Sequence, residues 1–301
     1  MFARALVLSV LSLVCVVDAH AQDLTAADSA AAVVLPHEVP VAFPPEGLDA
    51  DPGAMALPFG PGERLVYKVK IGWFGAGEGE LTLMGLDSLR GHTVYRGFMH
   101  VRGSFMGLGV NDRYHSWFDV GTLQSWRFVQ ELNQVSYHSY RFYEMMPARN
   151  SWERQDNGEY GTLGSLIPID DVSFIYLMRD LPLVPGNTYT VDRYYKEDGN
   201  PIEIEVLRYD ERETEGVRYE TVVVRPRVKT DGLFGEDGEA EIHLTRDRYH
   251  YPVYMKFDMG VLPGSLTLHL RSIEPGLPLN PEAREEELAR RAAEGGLPGG
   301  N

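Results

Sequence analysis

The stretch "IPIDDVSFIYLMRDLPL", Ile167–Leu183, decides the fold, because it has helical periodicity whereas the segments on both sides alternate as strands do. Asp170 or Asp171 can cap a first helical turn by accepting hydrogen bonds from backbone N–H groups. Pro182 lacks an N–H group and prevents continuation of the helix. The pattern therefore predicts a short helix at about residues 171–180.

The predicted helix is apolar on almost every side. Two lines of residues run along it, one with Val172, Ile175 and Arg179 and the other with Phe174, Leu177, Met178 and Leu181. Its narrow polar stripe consists of Ser173, Tyr176 and Asp180. A helix of this kind must be covered on most sides, so we expect a core element in the concavity of a curved sheet. The alternative is a mobile ligand gate. Such lids usually carry glycine hinges, and here Gly164 and Gly186 lie at some distance on either side.

Between about residues 62 and 275 the chain alternates with the period of two that is typical of β-strands. In "ERLVYKVKI", Leu65 and Tyr67 share one face, whereas Lys68 points the other way. Asp198-Gly199 predicts a hairpin between two such segments. Roughly ten strands without intervening helical patterns predict an all-β, mainly antiparallel fold. We expect a strongly curved sheet or a barrel or half-barrel, with one short buried helix.

The first residues have the pattern of a secretory signal peptide. Arg4 precedes the apolar run Ala5–Val17, and the small residues Ala19 and Ala21 stand before Gln22. The pattern predicts a signal peptide at 1–21, cleaved between Ala21 and Gln22. The apolar run is shorter than the about 20 residues that span a bilayer, so a retained anchor is the weaker alternative. We predict an exported protein, periplasmic or associated with the outer envelope, without a transmembrane helix after signal removal.

The single cysteine, Cys15, lies within the apolar run of the predicted signal peptide. A lipoprotein acceptor is the alternative, but the bulky Val14 stands where that motif normally has a small residue. Removal of residues 1–21 would leave a chain without thiols. Disulfides, thiolate metal sites and cysteine nucleophiles are then excluded.

Composition divides the mature chain into three further parts. Residues 22–61 are rich in alanine and proline, which predicts an extended tether. Residues 62–275 form the predicted β-barrel-like domain, and residues 276–301 a flexible tail with a possible short helix in "PEAREEELARRAAEGG". The formal net charge of −16 disfavours a nucleic-acid partner, because phosphates require clustered lysine and arginine.

Motifs that carry chemistry are missing from the sequence. No histidine pair has H-x-H, H-x-x-x-H or H-E-x-x-H spacing, and no G-x-S-x-G, P-loop or dinucleotide-binding pattern occurs. Helix capping explains the pair Asp170 and Asp171. The acidic stretch 231–241 resembles a hairpin tip that could hold calcium weakly, but it lacks EF-hand register. We predict no catalytic residues, no metal site and no cofactor.

Aromatic and other large apolar side chains are the candidates for ligand binding, because exposed aromatic residues on glycine-rich loops often mark a contact site. The predicted set combines residues of two glycine-rich loops, one strand and the helix: Trp73, Phe74, Phe105, Met106, Trp117, Phe174 and Tyr176. Period-two alternation places Trp117 on one strand face with Arg113 and His115, and Tyr114 on the other. The alternative is that the loop residues fold over the open ends of the barrel.

Four segments in order carry a resemblance to a known family. They are "FGPGERLVYKVKIGWFGAGEGEL", "DRYHSWFDVGTLQSWRF", "DDVSFIYLMRDLPLVPGNTY" and "YPVYMKFDMGVLPGSLTLHL". Together they resemble domain of unknown function 3108, a family of exported bacterial envelope proteins, over about residues 58–275. The resemblance implies a β-rich, barrel-like or half-barrel fold and an envelope location. It implies no established activity or catalytic residues, and the long alanine- and proline-rich tether departs from the family pattern.

These observations favour a non-enzymatic envelope protein that binds an apolar or lipid-like ligand, or a partner protein, in or on the β-barrel-like domain. The alternative is a carbohydrate-active hydrolase whose paired carboxylates come from distant strands, since glycosidases need two carboxyl groups about 5–10 Å apart. A third hypothesis is a structural scaffold in an envelope complex. Such a scaffold would have a flat aromatic patch in place of a cavity.

Overall fold

The computed structural model describes residues 57–72, 74–105, 108–134, 137–229, 240–257, 265–282, 284, 285 and 289. Over this part of the chain, strands dominate and form one antiparallel sheet of 14 strands. The strands are β1 (Arg64–Ile71), β2 (Phe74–Leu89), β3 (His92–Phe105), β4 (Leu108–Asp119), β5 (Ser125–Gln134), β6 (Tyr137–Met146), β7 (Ser151–Arg154), β8 (Tyr160–Thr162), β9 (Thr188–Val191), β10 (Ile202–Thr214), β11 (Val217–Arg227), β12 (Ala240–Thr245), β13 (Pro252–Phe257) and β14 (Leu266–Glu274).

The sheet consists of two meanders joined through their outer members. Strands β1 to β8 are neighbours in chain order, as are β9 to β14, and β1 pairs with β14. The predicted all-β, mainly antiparallel fold is therefore confirmed. The expected number of strands was too small, because glycines in β2 and the short lengths of β7 and β8 hide their alternation.

Strand β2 corrects one detail of the prediction, since its glycine-rich start belongs to a strand and not to a loop. Glycine is required there by the close approach of a neighbouring strand. A Cβ atom at Gly77 would lie 1.9 Å from the carbonyl oxygen of Arg102 in β3. Phe74 thus begins β2, and Phe105 ends β3.

The sheet is curved but is not closed by strand pairing, because β8 and β9 are its two edges. The connecting segments after these strands, residues 163–169 and 193–196, face each other and form what we name the seam. Two isolated bridges cross it, Leu163 with Lys196 and Ile169 with Tyr194. Backbone hydrogen bonds also cross it, from Ile169 N to Arg193 O (2.6 Å) and from Tyr195 N to Ile169 O (3.0 Å).

Helix α1 (Asp171–Asp180) lies between the two meanders in the chain and fills the concave face of the sheet. Asp170 caps it as predicted, in a capping box with Ser173. Every helical residue is buried except the half-buried Leu177 and the exposed Asp180. The predicted polar stripe is therefore wrong for Ser173 and Tyr176, because hydrogen bonds and ring packing let the core accept them.

Close packing holds the helix against β3 and β4. A Cβ atom at Gly97 would lie 2.8 Å from Phe118 Cε1 and 3.1 Å from Val172 Cγ1, so glycine allows the helix to approach the sheet. The ring of Tyr176 stacks on Phe118 at 5.4 Å and meets Phe59 edge-on at 4.9 Å. These contacts confirm that the helix is a core element.

The predicted hairpin at Asp198-Gly199 has the right strands but a different turn. Strands β9 and β10 pair antiparallel, as expected. Their connection spans residues 192–201, and Asp198 lies in a short 3₁₀ turn, Glu197–Gly199. The connection is longer than a two-residue turn because its residues 193–196 form one side of the seam. In the predicted tail, residues 281, 282, 284 and 285 have helical backbone.

Candidate functional site

A buried ion pair lies at the C-terminal end of helix α1. Arg179 donates from its two terminal nitrogens to the two carboxylate oxygens of Glu63, at 2.5 and 2.9 Å, and from Nε to Tyr249 O at 3.1 Å. Both side chains are almost completely buried. Burial alone would lower the pKa of Arg179, but the Glu63 carboxylate raises it above the ordinary value, so the guanidinium stays charged.

Three aromatic rings surround the guanidinium of Arg179. Its central carbon lies 5.1 Å from the ring centre of Phe59, 5.4 Å from that of Tyr176 and 5.2 Å from that of Tyr251. Ring faces attract a cation most strongly where water is excluded. The hydroxyl of Tyr176 is buried without a hydrogen-bond partner among the described residues, and burial raises its pKa well above the ordinary value.

A cleft of about 310 Å³ opens beside this ion pair, between the end of the helix and the β12–β13 connection. Its walls include five apolar residues and five residues with polar groups. The apolar residues are Leu57, Pro58, Leu181, Pro182 and Pro278, and the other lining residues are Arg179, Asp180, Arg248, Tyr249 and His250. Small-molecule sites usually combine apolar walls with a few convergent polar groups. The volume of this cleft is near the lower end of such sites.

The polar wall of the cleft is fixed by local hydrogen bonds. His250 has a left-handed backbone with φ 43°, and its Nδ1 lies 2.8 Å from Arg179 O. Because a carbonyl oxygen only accepts, Nδ1 carries the hydrogen and donates in this bond. Arg248 donates to the hydroxyl of Tyr249 at 3.0 Å. Burial raises the pKa of Asp180, and nearby His250 opposes this shift.

Asp170 organises the N-terminal end of the helix. Its Oδ1 accepts from the backbone N–H groups of Val172 and Ser173, at 2.9 and 3.0 Å, and its Oδ2 accepts from Ser116 Oγ at 2.5 Å. Its own N–H group donates to Ser125 Oγ at 3.1 Å. Burial raises the pKa of Asp170, although these hydrogen bonds favour the charged form and oppose the shift.

Asp171 is a second buried carboxyl group directly beside the first. The hydroxyl of Tyr194 donates to its Oδ1 at 2.9 Å, and Gln130 Nε2 lies 3.4 Å from its Oδ2. Burial raises the pKa of Asp171 to about 6; the Tyr194 hydrogen bond opposes this shift and the charge of Asp170 adds to it. The carboxyl group is therefore protonated more readily than an exposed aspartate.

The structure does not bring the predicted ligand-binding residues together. Trp73 and Met106 lie outside the described residues, as do the predicted cleavage-site residues Ala21 and Gln22. Phe74 is 60% exposed, whereas Phe174 and Tyr176 have no exposed surface. A ligand would reach the two helix residues only if the packed core moved.

Trp117 is buried on the opposite, convex face of the sheet. It lies 5.6 Å from the guanidinium of Arg96 and 5.4 Å from that of Arg127, and its Nε1 donates to Asp87 Oδ2 at 3.1 Å. Tyr114 packs against the core from the concave face, so the predicted division of β4 into two faces is right. Strand β4 therefore presents Trp117 on its convex face and Tyr114 to the core on its concave face.

Sequence reasoning missed the cleft and the partner of Arg179. A cation on the same helix line as Val172 and Ile175 was the available signal, because a buried charge must be paired. The identity of its partner, Glu63, is not deducible from local pattern, since the two residues are far apart in the chain. Tyr194 and His250 had no signal of their own.

Two further features concern the described ranges. Within them, no group of three or more histidine, cysteine, aspartate and glutamate residues is arranged to hold a metal ion. Likewise, none of the helical residues described belongs to a helix long and apolar enough to cross a membrane.

A curved antiparallel sheet around one buried helix defines the chain as a barrel-like β-protein. The chain belongs to the family described as Protein of unknown function (DUF3108), whose profile matches residues 66–271. Among solved structures it is similar to a β-barrel-like protein of domain of unknown function DUF1849 from Brucella abortus. The TM-score is 0.47 at 9% identity, over 72% of this chain and 98% of that one. No curated protein matches the chain.

Proposed function

We propose that the protein is an exported, non-enzymatic binding protein of the cell envelope, which takes a small apolar or lipid-like ligand in the cleft at the C-terminal end of helix α1. The observation that carries this proposal is the composition of the cleft, in which five apolar residues lie beside five residues with polar groups. The polar groups near Arg248 and His250 orient the ligand, and the apolar residues supply the binding energy.

The rigidity of the cleft supports binding without a large rearrangement. The hydrogen bond from His250 to Arg179 O fixes one wall, and the Glu63–Arg179 pair fixes the helix end beneath it. On the other side, the Leu277 N–H group donates to Pro61 O at 3.2 Å and holds together the two ends of the domain that contribute Leu57 and Pro278. A site whose walls are already ordered loses little entropy when a ligand binds.

Export rests on the signal-peptide pattern of residues 1–21 and on the family resemblance. It is tested separately, by expressing the full chain in its own host and fractionating the cells. We expect the mature protein, beginning at Gln22, in the periplasmic or outer-envelope fraction. Mass spectrometry showing an intact Met1 in the cytoplasm would contradict export without affecting the binding proposal.

Ligand binding is tested by native mass spectrometry of protein purified from its own envelope fraction, where we expect a co-purifying small molecule. The fluorescence of bound N-phenyl-1-naphthylamine, an apolar dye, then locates the site by comparison of variants. Pro182→Glu replaces an apolar wall residue of the cleft with a charged one and should weaken dye binding about tenfold, because the dye loses apolar contact there. Val184→Glu is the matched control, since Val184 is exposed nearby but does not line the cleft.

The outcomes separate the hypotheses. A ligand-free mass together with equal dye binding by both variants would contradict the proposal and favour the scaffold hypothesis. Turnover of an oligosaccharide by the purified protein would favour the hydrolase.

A further inference from the structure

The seam is the one interruption in strand pairing that the described residues show between the two edges of the sheet. Its two bridges replace a continuous ladder of hydrogen bonds. Arg193 adds one side-chain bond across it, from Nε to Ile167 O at 2.8 Å, and a second from Nη2 to Thr122 O in the β4–β5 connection, also at 2.8 Å. A junction of this kind is weaker than paired strands, because fewer hydrogen bonds cross it.

The N-terminal end of helix α1 is anchored to this seam. Ile169 bridges Tyr194 through the backbone, and two residues later Asp171 accepts the hydroxyl hydrogen of the same tyrosine. Asn200 holds the opposite segment in place, since it accepts from Tyr194 N at 2.8 Å and donates to Tyr194 O at 2.9 Å. Separation of the two segments would therefore remove Tyr194 from Asp171 and admit water to a carboxyl group that is otherwise enclosed.

The groups that face Asp171 leave it without a close cation. On its own helix the neighbour is the carboxyl group of Asp170. The other elements contribute Gln130 from β5, Tyr114 from β4, and Tyr194, Tyr195 and Lys196 from the seam. The ammonium group of Lys196 lies over the rings of Tyr143 and Tyr195, at 5.6 and 5.7 Å, and does not form an ion pair with Asp171 within the described contacts.

We propose that the seam is a proton-controlled opening in the sheet, closed while Asp171 carries a proton and easier to open once Asp171 is ionised. The enclosed carboxyl group of Asp171 favours its neutral form. Once opening exposes it to water, its pKa would return to the ordinary value. Opening therefore releases a proton at pH values between the pKa of Asp171 in the open state and its pKa in the closed state. This device lies at the end of the helix opposite the cleft, so it does not depend on ligand binding there.

Thermodynamic linkage fixes the sign and shape of the effect. The pKa of Asp171 is about 6 in the closed state, against an ordinary value near 4. Between these values the opening equilibrium should rise by up to about tenfold per pH unit, and above pH 6 it should level off. Below pH 4 both states are protonated and the effect disappears.

Hydrogen exchange followed by mass spectrometry tests the proposal on the full chain between pH 4.5 and 8. The measured quantity is the protection of peptides covering residues 163–171 and 190–196, after correction for the pH dependence of intrinsic exchange. We expect protection to fall as pH rises to 6 and then to remain constant. A peptide from β3 and β4 is the internal control and should show constant protection.

Two variants sharpen the experiment. Asp171→Asn keeps an acceptor for Tyr194 but cannot ionise, so the seam should stay protected at pH 7.5, up to about a hundredfold more than in the unsubstituted protein. Asp180→Asn is the matched control at the other end of the helix, because Asp180 also has a raised pKa but lies away from the seam. It should leave seam protection unchanged.

Seam protection in the unsubstituted protein that does not vary with pH would overturn the proposal, even if a variant failed to fold. Equal effects of the two substitutions would overturn it as well. The cleft dye experiment is independent, so a failure of the proposed binding function would leave these measurements interpretable.

Discussion

The two ends of helix α1 bury charge in opposite ways. At the C-terminal end, Arg179 meets the carboxylate of Glu63 with two hydrogen bonds and three surrounding rings. At the N-terminal end, Asp170 and Asp171 place two acidic groups side by side, supported by hydroxyl and amide donors. The first arrangement compensates charge with charge inside the core. The second depends on hydrogen bonds and on protonation, so its contribution to stability varies with pH.

The largest expected effect comes from breaking the opposite-charge end. Glu63→Gln leaves the buried Arg179 without a countercharge and should lower the free energy of unfolding by about 3–5 kcal/mol. Urea denaturation at pH 7 measures this loss. Glu274→Gln is the control, since it removes an exposed partner of Arg64 and should change stability little. Equal midpoints for the two variants would show that the buried pair is not essential.

The next effect comes from removing the helix cap at the like-charge end. Asp170→Ala removes the acceptor of two backbone N–H groups and leaves Ser116 without its partner, at a cost of about 2–3 kcal/mol. Asp170→Asn retains a capping oxygen and should lose less than half of this. Thermal unfolding by circular dichroism distinguishes them. The capping interpretation fails if alanine and asparagine are equivalent.

A smaller effect of opposite sign is expected for the neighbouring residue. The raised pKa of Asp171 means that its contribution to stability is complete below about pH 4 and is lost as pH rises to about 6. Asp171→Asn should therefore increase the free energy of unfolding at pH 7.5 by about 2 kcal/mol and give no increase at pH 4. Urea titrations at both pH values check the sign. If Asp171→Asn were less stable than the unsubstituted protein at pH 7.5, ionisation of Asp171 would not be unfavourable in the folded state.

The smallest expected effect concerns the cleft wall at the C-terminal end. His250→Ala removes the hydrogen bond to Arg179 O and should cost about 1 kcal/mol. His250→Gly removes the same bond but relieves the left-handed backbone, so it should be less destabilising than alanine. Differential scanning calorimetry compares the pair. A larger loss for glycine would indicate that the backbone at residue 250 is not strained.

The period-two alternation predicted much of the fold, because alternate residues of a strand point to the same face. In β1, for example, the face with Leu65, Tyr67 and Val69 is buried. The helix and its cap were equally predictable from the sequence, since Asp170 and Pro182 are local signals of where a helix begins and ends. Local pattern could not predict the pairing of β1 with β14 or of Glu63 with Arg179, because these contacts join residues far apart in the chain. For the same reason, the cleft and the seam became visible only in three dimensions.

The pairing of β1 with β14 has a consequence for connectivity. It places the start and end of the folded domain side by side, where Leu277 N donates to Pro61 O. The break in the sheet falls instead in the middle of the chain, between β8 and β9. A circular permutation that joins residue 278 to residue 57 through a short linker and cuts within residues 184–187 would thus preserve every strand pair. The native chain order is one of several that this architecture accommodates, and new termini could be introduced beside its natural edges.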